Sequence, residues 1–136
     1  MLRPGPSAVF VYGTLKQGER NFPVSQQAGW KRSELGWLEG FQLFHIPQSR
    51  LRPYSYPAIV QADGRVWGEV QWFQDLELAL SVLDSLEDEG REYLRIPTTA
   101  HTEAGPVLVW VYVYPGLEAI RSAQGILISS GVWSAP

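Results

Sequence analysis

The chain of 136 residues contains no cysteine. That excludes a disulfide scaffold, a thiol nucleophile and thiolate metal ligation. Histidine is nearly as scarce: His45 and His101 stand alone, and no cluster of histidines and carboxylates has the spacing of a metal site. Clustered positive charge is also missing. The 11 Lys and Arg residues are scattered, and the net charge is −3, which argues against nucleic acid as a partner because phosphate binding needs a basic patch. No apolar run reaches the length of a membrane span, and Met1-Leu2-Arg3-Pro4-Gly5-Pro6 lacks the apolar core of a signal peptide. These absences predict a soluble, cytoplasmic protein with neither a membrane nor a nucleic-acid partner.

What is present is apolar and aromatic. Hydrophobic residues make up 45% of the chain, with six Trp, six Tyr and five Phe, enough to exclude disorder and to bury a core. The length predicts a single domain over 8–136. Residues 1–7, with two prolines and a glycine, read as a flexible tail.

The chain is organised around Val9-Phe10-Val11-Tyr12-Gly13-Thr14-Leu15-Lys16-Gln17-Gly18. Ala8–Tyr12 reads as an apolar, central strand that breaks at Gly13. A glycine there can take a positive φ or let a ligand come close to the backbone. Amide N–H groups left unpaired beyond a strand end form an anion-binding nest where they converge. A plain strand end with a turn glycine explains the same residues.

Gly13–Arg32 reads as a loop with one helical turn after Pro23, and Gly36–Ile46 as a second strand. A polar loop with Pro47, Pro53, Pro57, Tyr54 and Tyr56 follows. Ala58–Gln61 and Arg65–Phe73 are predicted to form a hairpin turning at Ala62-Asp63-Gly64. Asp75–Glu89 is the main helix, with Asp75 as N-cap, Glu77 at the positive end of the dipole and Gly90 as terminator. Tyr93–Thr99 and Val107–Tyr114 read as strands. Residues 116–136 begin weakly helical and turn at a Ser-Ser-Gly before Val132 and Trp133. The strand tryptophans and tyrosines are expected in a core. Mostly strands with one or two helices predicts a closed or strongly curved sheet.

One residue breaks the helix pattern. At about 100° per residue, Leu76, Leu80 and Leu83 form the core-facing stripe, and Glu87 continues it, while Asp88 and Glu89 turn outward. An inward carboxylate at a helix C-terminus, near Asp84, Asp88, Glu89 and Glu92, is expected to hold its proton more tightly than usual. Such a glutamate suits proton transfer near neutral pH. A helix-end Glu that bends to water or pairs with Arg91 or Arg95 is the structural alternative.

Other chemistries fit less well. Gly13-Thr-Leu-Lys-Gln-Gly18 has P-loop glycine spacing, but Glu19 and Arg20 stand where Lys and Ser or Thr are required. No Gly-x-Ser-x-Gly exists for a serine hydrolase.

The motifs resemble those of the gamma-glutamylcyclotransferase-like family. Val11-Tyr12-Gly13-Thr14-Leu15-Lys16 with Gly18 and Asn21 is similar to its opening motif, Tyr56-Pro57-Ala58-Ile59 to its Tyr-Pro-Ala segment, and Trp67-Gly68-Glu69-Val70 to its Gly-Glu-Val strand. Leu83-Asp84-Ser85-Leu86-Glu87 with Tyr93-Leu94-Arg95 resembles its Leu-Asp-x-x-Glu…Tyr-x-Arg element, and Val111-Tyr112-Val113-Tyr114 its late Val-Tyr strand. Ser130-Gly131-Val132-Trp133 resembles the closing Ser-Gly-Asp-Trp, with Val132 replacing the Asp, a departure expected to affect C-terminal packing rather than chemistry.

The resemblance implies an α+β fold: a small mixed β-barrel with one main helix, short additional helices and a cavity beside the end of the first strand. It implies Glu87 as catalytic acid/base. It also implies that the amides of Gly13, Thr14 and Leu15 bind the glutamyl end of a substrate, with Tyr12, Tyr56 and Tyr114 as cavity walls. The implied reaction is intramolecular aminolysis of a small γ-glutamyl amine or γ-glutamyl amino acid to 5-oxoproline, with no cofactor and no metal. A non-catalytic module binding an amino-acid-like ligand is the rival reading, since fold does not fix function. The leaving amine stays open, although the acids around Glu87 suit a cationic one.

Overall fold

The computed structural model describes residues 5–50, 54–87 and 93–134. In chain order the elements are β1 (Ala8–Val11), α1 (Phe22–Gln27), β2 (Trp30–Ile46), β3 (Tyr56–Phe73), α2 (Leu76–Glu87), β4 (Leu94–Thr102), β5 (Gly105–Val113), α3 (Leu117–Ser122) and β6 (Ile126–Leu127). The strands pair in the order β3-β1-β5-β4-β2, and β2 pairs back to β3, so five strands close into a barrel. Closure removes the exposed edges that an open sheet would offer. β1 is antiparallel to β3 and parallel to β5, and β6 lies outside the ring on β2. The predicted α+β class, the mixed barrel and its one main helix are present.

Strand alternation divides the core into two layers. Phe10 and Tyr12 join Leu38, Phe41, Ile59, Val66, Val70, Val109, Val111 and Trp133 in a cluster without helix residues, which fills the barrel. Val9 and Val11 face the other way, into a cluster that includes Ala79, Leu80 and Leu83 of α2 and Ile120 of α3. The apolar stripe of α2 is therefore what seals it to the barrel wall. Asp75 caps α2 as predicted, its carboxylate accepting from Leu78 N–H at 3.2 Å.

Two expectations are corrected. Ala58–Gln61 and Arg65–Phe73 do not fold on each other. Both belong to β3 and pair with β2 in one antiparallel ladder, whose register slips where Glu39 faces Arg65 and Phe41 faces Gln61. Ala62-Asp63-Gly64 is the extra length of a bulge, which bends the strand. Gln42 donates to the Asp63 carbonyl at 3.0 Å, and a Cβ at Gly64 would lie 2.6 Å from the Phe41 carbonyl. The turn-rich composition answered this need for close approach rather than a reversal. The tryptophans also depart from expectation, because only Trp133 is fully buried. Trp72 and Trp110 lie under Arg32 and Arg95, with guanidinium-to-ring distances of 3.8 and 4.5 Å, so cation–π contacts cover them on the outside.

The tail at 1–4, Pro53, the terminator Gly90 and the charged residues Asp88, Glu89, Arg91 and Glu92 lie outside the described residues.

β1 and β3 meet closely at Gly68, where a Cβ would fall on the Val11 carbonyl and 2.8 Å from the Phe10 ring. Gly68→Ala is expected to cost about 1–3 kcal/mol by overpacking, read as a lower urea midpoint. An unchanged midpoint would mean that β1 and β3 can separate freely.

Candidate functional site

β1 ends at Val11, and the chain leaves the barrel rim through Tyr12 and Gly13. Gly13 does not need a positive φ. It needs space, since a Cβ there would collide with the Pro57 ring. The opening motif and the Tyr-Pro-Ala segment are thus two halves of one contact.

Beyond Gly13 the loop is fastened by buried polar groups. Gln71 on β3 is fully buried. Its amide donates to the Leu15 carbonyl at 2.9 Å and to Glu69 at 3.3 Å, and its carbonyl accepts from Ser25 Oγ at 2.9 Å. Glu69, also buried, accepts from Gln17 N–H at 3.1 and 3.3 Å. Asn21 closes the loop twice, by its amide on Thr14 Oγ1 at 3.0 Å and by its backbone N–H on the Thr14 carbonyl at 2.8 Å. Lys16 Nζ donates to the Trp133 carbonyl at 2.7 Å. Held in this way, the amide N–H groups of Gly13, Thr14 and Leu15 have no acceptor among the described residues.

These residues line a cavity of about 160 Å³ with Tyr12, Arg20, Asn21, Tyr56, Pro57, Leu86, Glu87, Tyr93 and Tyr112. Six of the seven residues expected at the site therefore meet in one place: Tyr12, Gly13, Thr14, Leu15, Tyr56 and Glu87. Tyr114 stands one layer behind. It is buried, its hydroxyl is hydrogen-bonded to that of Tyr56 at 2.8 Å, and its ring packs edge-on against Tyr93 at 5.0 Å.

Glu87 is the last described residue of α2 and is half-buried. Its carboxylate is felt by three phenols. Burial pushes the Tyr12 hydroxyl well above its ordinary pKa, Glu87 adds to the rise, and a backbone hydrogen bond with Ile59 opposes it. Burial is likewise the first cause for Tyr93, followed by Tyr12 and then Glu87. Tyr112 is raised by burial, by its hydrogen bond to Asp84 and by the Asp84 charge, then slightly by Glu87, while Arg95 opposes. All three hydroxyls stay neutral and have acceptors: Tyr12 donates to the Tyr112 carbonyl at 2.6 Å, Tyr93 to the Pro57 carbonyl at 2.7 Å and Tyr112 to Asp84 at 2.6 Å.

Asp84, one turn earlier on α2, has a different task. Arg95 grips it bidentately at 2.8 and 3.1 Å, so this acid is neutralised within the fold. Glu87 and Asp84 are neighbours three residues apart that point at different partners.

Tyr93, Tyr112, Pro57, Asn21 and Arg20 had no role in the sequence reading. Pro57, Tyr93 and Asn21 sit inside the quoted motifs, so their presence was visible and their position was not. Tyr112 alternates with the barrel-facing Val111 and Val113, and Arg20 carries no sequence signal.

The family profile "Gamma-glutamyl cyclotransferase, AIG2-like" matches residues 9–135. The chain belongs to this gamma-glutamylcyclotransferase-like family. A relative from Vibrio cholerae serotype O1, described as "Putative gamma-glutamylcyclotransferase", is 34% identical over 128 residues, spanning 92% of this chain and 93% of its own. Among solved structures, an AIG2-like protein from Mus musculus superposes with a TM-score of 0.64 at 20% identity, over 96% of this chain and 90% of its own. YkqA from Bacillus subtilis gives 0.62 at 24% identity over 94% of this chain, which spans only 39% of YkqA. At such identities the two structures show a shared fold.

Gln71→Leu keeps the volume but leaves the Leu15 carbonyl and the Ser25 hydroxyl without their partner. It is expected to cost about 1–3 kcal/mol and to speed amide exchange at Gln17 and Asn21. Exchange at the native rate would mean that the loop is held by other contacts.

The phenols set an alkaline limit. An unfolded tyrosine ionises near pH 10, whereas folded Tyr93 keeps its proton because burial raises its pKa. Its contribution is complete below about pH 10 and is lost as pH rises toward the folded value, since the unfolded state then releases the proton first. Tyr93→Phe should be less stable at neutral pH yet lose stability less steeply above pH 10 in urea titrations. Parallel slopes would contradict the shift.

Proposed function

We propose that this chain is a cyclotransferase that converts a γ-glutamyl amine or γ-glutamyl amino acid to 5-oxoproline and the free amine. What carries the reading is the meeting of one carboxylate, Glu87, with the amides of Gly13, Thr14 and Leu15 in a cavity whose floor is phenols and apolar groups. Family membership supports the same reaction class.

The substrate brings its own nucleophile. Glu87, as carboxylate, takes a proton from the α-ammonium. The freed amine attacks the γ-carbonyl carbon, and a tetrahedral intermediate closes the five-membered ring. The old C–N bond then breaks as Glu87 returns its proton to the departing nitrogen, and the extra proton on the ring nitrogen passes to the freed amine, which leaves as an ammonium. Because the amine is tethered to the carbonyl it attacks, proximity supplies much of the acceleration and no enzyme nucleophile is needed. The amides beyond Tyr12 hold either the α-carboxylate or the developing oxyanion, a stabilisation worth a few kcal/mol in comparable sites. Tyr12 and Tyr93, buried and neutral, exclude water and add no competing base. The reaction as written calls for no cofactor.

Incubation with a panel of γ-glutamyl amines and γ-glutamyl amino acids, read as 5-oxoproline, tests this. Product should form with at least one class, and Glu87→Gln should lower turnover about 10²–10⁴-fold with the fold intact by circular dichroism. Full turnover in Glu87→Gln would remove Glu87 from the mechanism. Ligand binding with no product from any panel member would turn the reading to a non-catalytic binding module.

A further inference from the structure

The cavity has a floor and a rim. Phe10, Val11, Tyr12, Leu15, Tyr93 and Tyr112 are buried, whereas Arg20 and Leu86 are exposed. Arg20 is the one cation among the described lining residues. Its guanidinium lies 4.6 Å from the centre of the Tyr54 ring, a cation–π contact that links the loop after β1 to the segment before β3. Among the described residues its one hydrogen bond is long, from Nη2 to the Ser55 carbonyl at 3.5 Å. A guanidinium has five donors in a planar fork, so most remain for a ligand. Of the acids that would favour a cation, the described one, Asp84, is held by Arg95 and Tyr112.

We infer that Arg20 selects the leaving group by its carboxylate, making γ-glutamyl α-amino acids, rather than γ-glutamyl amines, the preferred substrates. The inference rests on the reaction proposed above. With the glutamyl head at the amides and Glu87, the departing residue points to the rim, where its α-carboxylate meets the Arg20 fork. Two parallel N–H···O bonds of that kind are stronger than a single neutral bond, and Tyr54 restrains the side chain that makes them.

γ-Glutamyl-alanine and γ-glutamyl-ethylamine differ by that carboxylate alone. Wild-type protein should show a kcat/KM roughly fivefold or more in favour of the alanine substrate, the range of a solvent-accessible, well-oriented ion pair. Arg20→Gln should lose that factor with γ-glutamyl-alanine and leave γ-glutamyl-ethylamine unchanged, and Arg20→Lys should keep part of it. Added salt should shrink the preference in the wild type only. Equal kcat/KM for the two substrates in wild type overturns the inference. So does an equal loss of both in Arg20→Gln, which would place the guanidinium on the glutamyl head. Calorimetric binding of both compounds separates this from failure of the reaction. Tighter, Arg20-dependent binding of γ-glutamyl-alanine without 5-oxoproline upholds carboxylate recognition and overturns the cyclotransferase reading. Absence of both binding and turnover overturns both.

Discussion

The architecture of the site depends on one buried amide. Gln71 sits on β3 with no access to water, so each of its polar atoms must be satisfied within the protein or cost a desolvation penalty of about 1–3 kcal/mol. It spends its bonds on Leu15, Glu69 and Ser25, which belong to the loop after β1, to β3 itself and to α1. Displacing the loop would orphan several buried groups at once. That is how the ten-residue irregular segment between β1 and α1 is fastened to the strand beside it. A nest of amides binds an anion well only if it is already formed, and the network prepays that ordering.

The same economy governs charge. Two carboxylates three residues apart on α2 could have repelled each other at a helix end where the dipole also opposes negative charge. They are separated by partner. Asp84 receives a bidentate arginine and a phenol, which makes it a brace between α2, β4 and β5. Glu87 faces the cavity among phenols whose protons burial holds in place. In the proposed reaction Glu87 would exchange a proton beside groups that keep theirs, because the raised phenols do not titrate with it.

Much of this was legible in the residues and some was not. The strand ending at Gly13, the capped helix and the inward Glu87 follow from periodicity and capping chemistry, which are local. The hairpin expected at Ala62-Asp63-Gly64 failed because composition reports that a backbone must bend or be approached closely, and a bulge and a turn ask for the same residues. Whether Arg65–Phe73 pairs with Ala58–Gln61 or with β2 depends on Trp30–Ile46, a segment some thirty residues away. Gly13 is the reverse case: a positive φ or a close-lying ligand was expected there, and the group that approaches is Pro57, hidden in another motif. The tyrosines expose the limit for the cavity. Tyr56, Tyr93, Tyr112 and Tyr114 look alike in sequence, and only the closure of the barrel sets Tyr93 and Tyr112 on its wall and Tyr114 behind it.

Barrel closure also explains why the site could not be confined to one segment. Its wall takes residues from β1 and its loop, from the start of β3, from the end of α2 and from β5, and the loop is tied to the C-terminal Trp133 through Lys16. The elements contribute different groups: amides and Arg20 from the loop, a carboxylate from the helix, and the phenols of Tyr56 and Tyr112 from β3 and β5. A reaction in which the substrate attacks itself asks the protein for little beyond such placement, because the entropy of bringing the reactants together is already spent in the substrate's covalent bonds. A closed ring of five strands, rigid at its rim and supplying groups from distant parts of the chain, suits that demand. It also accounts for Val132. The side chain is exposed, while Gly131 and Trp133 on either side make the contacts that hold the C-terminal segment, through the bond from Trp67 N–H to the Gly131 carbonyl and the burial of the Trp133 ring. An aspartate at this position would occupy the same exposed place, apart from the residues that line the cavity.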